Sequence, residues 1–254
     1  MKNICVVILS LFVLLACTEE HEQSQLVDET AEQEYGNVSF EERVKLHVHS
    51  QLHLSSSENY SLKIYKAHLN DDQIEDAIIT INRLEYAIKR AKEGKSLAKS
   101  SDLDFWGNYN LVFYYDSELD KITPPLEFNS TPLRELKVSF DFVSSDQYQD
   151  VIIDYPLRNA EYRIYLPIIN HTPTQVLQWK VYDGWGTDEL ESYCFSYKPG
   201  SYSPFKDIVV TKASMKNIER GEDYNKITPE ITCGDEVVKT FFFNPKDFKY
   251  YAPK

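Results

Sequence analysis

Three histidines fall close together in His47-x-His49-x-x-x-His53. Read as part of a strand, this spacing puts all three imidazoles on one side, with His47 and His49 near enough to share a Zn²⁺. No nearby carboxylate or Cys completes a tetrahedral set, so a solvent-facing row on an outer strand fits the pattern equally. A second concentration is aromatic: Trp179, Tyr182, Trp185, Tyr193, Phe195, Tyr197, Tyr202 and Phe205 crowd one segment. Asp183-Gly184-Trp185-Gly186 predicts an exposed turn carrying an indole. Trp179, Trp185, Tyr193 and Tyr197 are the candidate surface for a glycan or peptide, with inter-sheet packing as the alternative. Catalytic signatures are lacking: there is no Gly-x-Ser-x-Gly, His-Glu-x-x-His or Cys-x-x-Cys. The expectation is therefore a non-enzymatic binding or scaffolding module. The alternatives are a metal-dependent hydrolase drawing on His47, His49, His53, His68, Asp72 and Asp76, or a dedicated inhibitor or immunity-type protein.

The elements that must position these groups read mostly as strands. From Arg43 to Leu54, Val44, Leu46, Val48, Leu52 and Leu54 alternate with polar residues, which predicts a strand. Tyr109 to Tyr115, Arg163 to Ile169, Val176 to Tyr182 and Tyr193 to Tyr197 are further candidates. The one helix expected lies at about 83–99, where Leu84, Ala87, Ile88 and Ala91 share a face and Asn82 with Glu85 is a capping pair. Its six basic residues form a patch on an acidic protein, read as a solvated face or as a docking element for an anionic partner.

A repeat underlies the strands. Asp72-Gln73-Ile74-Glu75-Asp76-Ala77-Ile78-Ile79 matches Asp146-Gln147-Tyr148-Gln149-Asp150-Val151-Ile152-Ile153, and Asp207-Ile208-Val209-Val210 is a shorter third copy. In each, an Asp leads into a β-branched run, the mark of a loop ending in a buried strand. Thr123-Pro124, Thr172-Pro173 and Thr228-Pro229 are a second marker, its spacing placing the helix in an insertion. About three such units predict a mainly β fold, a propeller-like or β-sandwich-like repeat of antiparallel sheets.

The repeat resembles the FG-GAP (integrin-type) propeller family, whose loops carry Asp-x-Asp-x-Asp-Gly-x-x-Asp before a strand. Set on Asp76, the pattern falls on His68, Asn70, Asp72 and Asp76. The resemblance implies a Ca²⁺ loop there, because Ca²⁺ takes several convergent oxygens. His68 replaces the first acid and Gln73 the Gly. The second copy (Phe142, Ser144, Asp146, Asp150) and the third (Pro199, Ser201, Ser203, Asp207) lack the acids for an ion. There the remaining Asp is expected to accept hydrogen bonds within its loop. Apart from Ca²⁺, no cofactor is expected.

The first seventeen residues resemble a bacterial lipoprotein export signal. Lys2 is basic, Ile4 to Leu15 is almost wholly apolar, and Leu14-Leu15-Ala16-Cys17 resembles a lipobox. The resemblance implies cleavage of residues 1–16 and lipidation of Cys17. Residues 17–36 then form a disordered acidic tether, with seven acids and no Lys or Arg. Thr18 after the Cys implies an outer-membrane anchor, and Glu19, Glu20 and Glu22 resemble the acidic signals that direct some such lipoproteins to the cell surface. The partners expected are the membrane, through the lipid, and an envelope protein or glycan. The formal charge of −13 argues against nucleic acid. Residues 37–254 are expected to form a single β-rich domain. Once Cys5 leaves with the signal and Cys17 takes lipid, Cys194 and Cys233 remain, and an oxidising compartment predicts a disulfide between them.

Overall fold

The computed structural model describes residues 38–93, 107–219 and 222–253. The expected export signal, Cys17, the expected tether and the end of the expected helix lie outside them. The chain divides into two compact units, residues 1–54 and 55–254.

In the first unit, the segment expected as a strand is helix α1, Phe40–Gln51. Its start is written in Ser39-x-x-Glu42: the Ser39 hydroxyl accepts from the Glu42 N–H, and the Glu42 carboxylate accepts from the Ser39 N–H. This reciprocal cap nucleates a helix. Val44 and Val48, one turn apart, are the fully buried pair, while Leu46 is exposed. The alternation of apolar residues therefore does not describe a buried face. His47 and His49 point to different sides of a helix, so the three-imidazole row does not form. Burial holds the His47 imidazole below its usual pKa.

The second unit is mainly β, built of antiparallel sheets, none closed into a barrel. The first sheet holds β1 (Ser61–Ala67), β2 (Asp76–Asn82), β3 (Asn110–Asp116), β4 (Lys121–Ile122) and β5 (Leu126–Phe128). The second has eight strands: β6 (Lys137–Asp141), β7 (Asp150–Leu157), β8 (Ala160–Leu166), β11 (Leu177–Asp183), β12 (Glu191–Lys198), β13 (Asp207–Met215), β14 (Ile231–Asn244) and β15 (Lys249–Tyr251). A small ribbon pairs β9 (Ile168–Ile169) with β10 (Thr172–Pro173). Helix α2 is Leu84–Glu93. The Asn82 side chain accepts from the Leu84 N–H, but the Glu85 carboxylate takes the Asn59 amide.

The repeat has a structural counterpart. β1 and β2 pair with Ala67 opposite Asp76, β6 and β7 with Asp141 opposite Asp150, β12 and β13 with Lys198 opposite Asp207. The paired residues are nine apart each time, so three hairpins share one loop length. β2 is buried along its whole length. Its residue Ile78 shares a core cluster with Val112 and Tyr114 of the first sheet and with Val151, Ile153 and Ile164 of the second. Each such aliphatic side chain contributes roughly 1.5–3 kcal/mol on burial. Thr123, Thr172 and Thr228 fall after β4, within β10 and before β14, so the second marker has no common structural role.

Cys194 on β12 and Cys233 on β14 form a disulfide. The ladder between β13 and β14 shifts register around Thr211 and Ala213, beside Cys233.

Candidate metal centre

The site forms where β2 begins and β3 ends. The register of the pair sets Ala77 opposite Tyr115, so Asp76 and Asp116 lie at the same end of adjacent strands. The loop before β2 folds over them through two Asx turns. The Asp72 N–H donates to Asn70 Oδ1 at 3.0 Å, and the Ile74 N–H donates to Asp72 Oδ1 at 2.7 Å. Gln73 has φ 64°, the left-handed conformation that a Gly adopts without strain. The loop thus makes a left-handed turn with a side chain in that position.

These turns bring Asp72, Asp76 and Asp116 together, each offering one carboxylate oxygen within 4.8 Å of the others. Asp76 and Asp116 are buried. Tyr114 donates its hydroxyl to Asp76 Oδ2 at 2.9 Å. The Ser117 N–H and hydroxyl donate to Asp76 Oδ1 at 2.9 and 2.8 Å. Asp116 Oδ1 accepts from the Leu119 N–H, and its Oδ2 lies 2.7 Å from His171 Nδ1. Asp72 Oδ2 is buried and has no hydrogen-bond partner among the described residues.

The charges press on one another. At an effective dielectric of ~20, two carboxylates about 5 Å apart repel by roughly 3 kcal/mol. Burial raises the Asp76 pKa first, and the Asp72 charge adds to that. The Tyr114 hydroxyl is pushed upward by burial and by the Asp76 charge. His171 is held above its usual value chiefly by its bond to Asp116. A hard cation relieves the same repulsion. The donors are all oxygens, and the orphaned Asp72 Oδ2 is a ligand atom without a proton donor, so the set fits Ca²⁺ or Mg²⁺ better than Zn²⁺.

One residue of the sequence-based set drops out and a new one joins. His68 is exposed and stands outside the cluster; its backbone carbonyl accepts from the Gln149 N–H. Asp116, forty residues beyond Asp76, joins instead. Nothing in the local spacing marks it, because only the pairing of β2 with β3 delivers it.

The other two hairpins show what the same Asp does without a second acid. Asp150 accepts from the Ser144 N–H and hydroxyl, and Asp207 from the Ser201 N–H and hydroxyl. In both, the Ser lies six residues before the Asp and closes the loop as a clasp. Asn70 holds that position in the first hairpin, and Ser117 supplies the equivalent bonds from another turn.

The four candidate surface aromatics, Trp179, Trp185, Tyr193 and Tyr197, pack against neighbouring rings, whereas Tyr202 of the same segment is exposed. Trp185 is 2% exposed, against Tyr182 with ring centroids 5.5 Å apart, and its indole N–H donates to the Lys216 carbonyl. The expected exposed turn is folded onto the Val181–Tyr182 cluster instead. Tyr193 is buried, Trp179 packs edge-on against it and against Phe241, and Tyr197 packs against Tyr165. Of the basic helix, Arg83 pairs with Glu58 and lies over Tyr86; Lys95 and Lys99 lie outside the described residues. Among the described residues no helix is long and apolar enough to cross a membrane. No family model, curated protein or solved structure matches the chain.

Proposed function

We propose that the chain is a non-catalytic binding lipoprotein of the bacterial envelope, in which a Ca²⁺ held by Asp72, Asp76 and Asp116 locks the first hairpin loop. The observation that carries the cation is the buried, unpartnered Oδ2 of Asp72, a residue whose carboxylate lies within 4.8 Å of two others. With the ion bound, these carboxylates stay charged without mutual repulsion and the loop is fixed against the end of β3. The three equal hairpins support the likeness to a propeller-type β-repeat. Anchoring through Cys17 and an acidic tether would present this repeat at the outer membrane to an envelope protein, peptide or glycan.

The test is thermal unfolding of the full chain with Ca²⁺ and with a chelator. Saturable stabilisation is expected, about 2.7 kcal/mol at a hundredfold excess over Kd. Asp72→Asn should remove most of it. No response of the wild type to millimolar Ca²⁺ would sink the proposal.

A further inference from the structure

The three Asp-led strands begin at one end of their sheets, so their loops gather there. The His68 carbonyl accepts from the Gln149 N–H, joining loop 68–75 to loop 142–149. The Val143 carbonyl accepts from the Lys206 N–H, joining that loop to loop 199–206. Lys206 also pairs with Asp146 and donates to the Phe142 carbonyl. The turn after β14 is bound in through Phe243, which stacks on Phe205 and meets Phe248 edge-on.

This end is unusual in what it leaves in water. Of the ten exposed large apolar side chains among the described residues, five sit on these loops and the turn after β3: Ile74, Leu119, Phe142, Tyr202 and Phe248. Scattered single apolar residues are ordinary, but a concentration on one set of linked loops marks an interaction surface. Tyr202 is 76% exposed, with its ring held by Phe242 at 5.3 Å. A side chain this large, ordered by one neighbour and open to solvent, loses little entropy on binding. The face is also charged. Asp71, Glu75, Glu118 and Asp120 are exposed on the first two segments, 68–75 and 117–120, which contain no Lys or Arg.

We propose that the loops at the Asp76, Asp150 and Asp207 end form one docking face for a polypeptide segment bearing basic and apolar side chains. Aromatic anchors on loops 142–149 and 199–206 take the apolar groups. The carboxylates around the first loop take the basic ones, which no acidic or neutral partner would satisfy. The inference rests on the reading of this protein as a binding module and names its partner's chemistry.

The experiment is selection of a randomised peptide display library on the full chain in non-ionic detergent. Enriched sequences should combine Lys or Arg with aromatic or aliphatic residues. The selected peptide should bind about tenfold more weakly to Tyr202→Ser and to Ile74→Ser. Leu133→Ser and Val237→Ser, exposed elsewhere, should leave its binding unchanged. Unfolding midpoints of all four variants confirm that each is folded; Phe142→Ser substitutes for either face variant that is not, and Val238→Ser for either control. Enrichment of acidic or purely polar peptides, or equal binding by all variants, would overturn the proposal. So would an oligomer that Tyr202→Ser converts to monomer, because the occupant would then be a second copy of this chain. Measuring the same binding to the wild type with Ca²⁺ and with a chelator separates the two readings: retained peptide binding beside a wild type that gives no Ca²⁺ response rejects the ion and keeps the face.

Discussion

Asp150 tests the difference between a clasp and a cation ligand. Its carboxylate is 2% exposed and accepts from the Ser144 N–H and hydroxyl and from the Val143 backbone. Burial pushes its pKa up from 3.8 to about 6, against the lowering effect of the Ser144 hydrogen bonds. A raised folded-state pKa means that the protonated form is favoured by folding. Its stabilisation is fully present below the unfolded value and is lost as pH rises through about 6. At about 1.4 kcal/mol per unit, the loss amounts to about 3 kcal/mol. Asp150→Asn keeps the shape: the amide oxygen accepts from the Ser144 N–H, and the amide nitrogen donates to the Ser144 hydroxyl. Urea unfolding of both chains from pH 4 to pH 8 should show the variant gaining on wild type by about 3 kcal/mol, most of it between pH 4 and pH 6.5. A difference independent of pH, or one of opposite slope, would refute the reasoning. Ca²⁺ should not alter the difference, because the second loop has no cluster to hold the ion.

Replacing Cys194 and Cys233 by Ser should destabilise the chain by about 4 kcal/mol on the chain-entropy account, and reduction of the wild type should reproduce the loss in urea. Trp185→Ala should cost about 3–5 kcal/mol, since the indole fills a buried cluster; a near-neutral change would show that the ring is exposed after all.

The Asp-led strands are readable from sequence because their cause is local, whereas β1, β6 and β14 carry no such mark. Asp76, Asp150 and Asp207 each precede a run of Ala, Val and Ile side chains, and such a run fits a strand buried on both faces. The disulfide was readable by elimination among four cysteines. Residues 43–54 were misread because a twelve-residue stretch of mixed aliphatics satisfies a period of two and also an i, i+4 pair. The deciding signal was the Ser39–Glu42 cap just upstream.

Sequence alone determined where the Asp-led hairpins lie and that the first holds more acid than its copies, because those depend on neighbours along the chain. Tertiary structure decided that Asp116 joins Asp72 and Asp76, that Trp185 turns inward and that three loops share one end. Each of these depends on strand register, which brings together residues separated by tens of positions, and no local spacing encodes that.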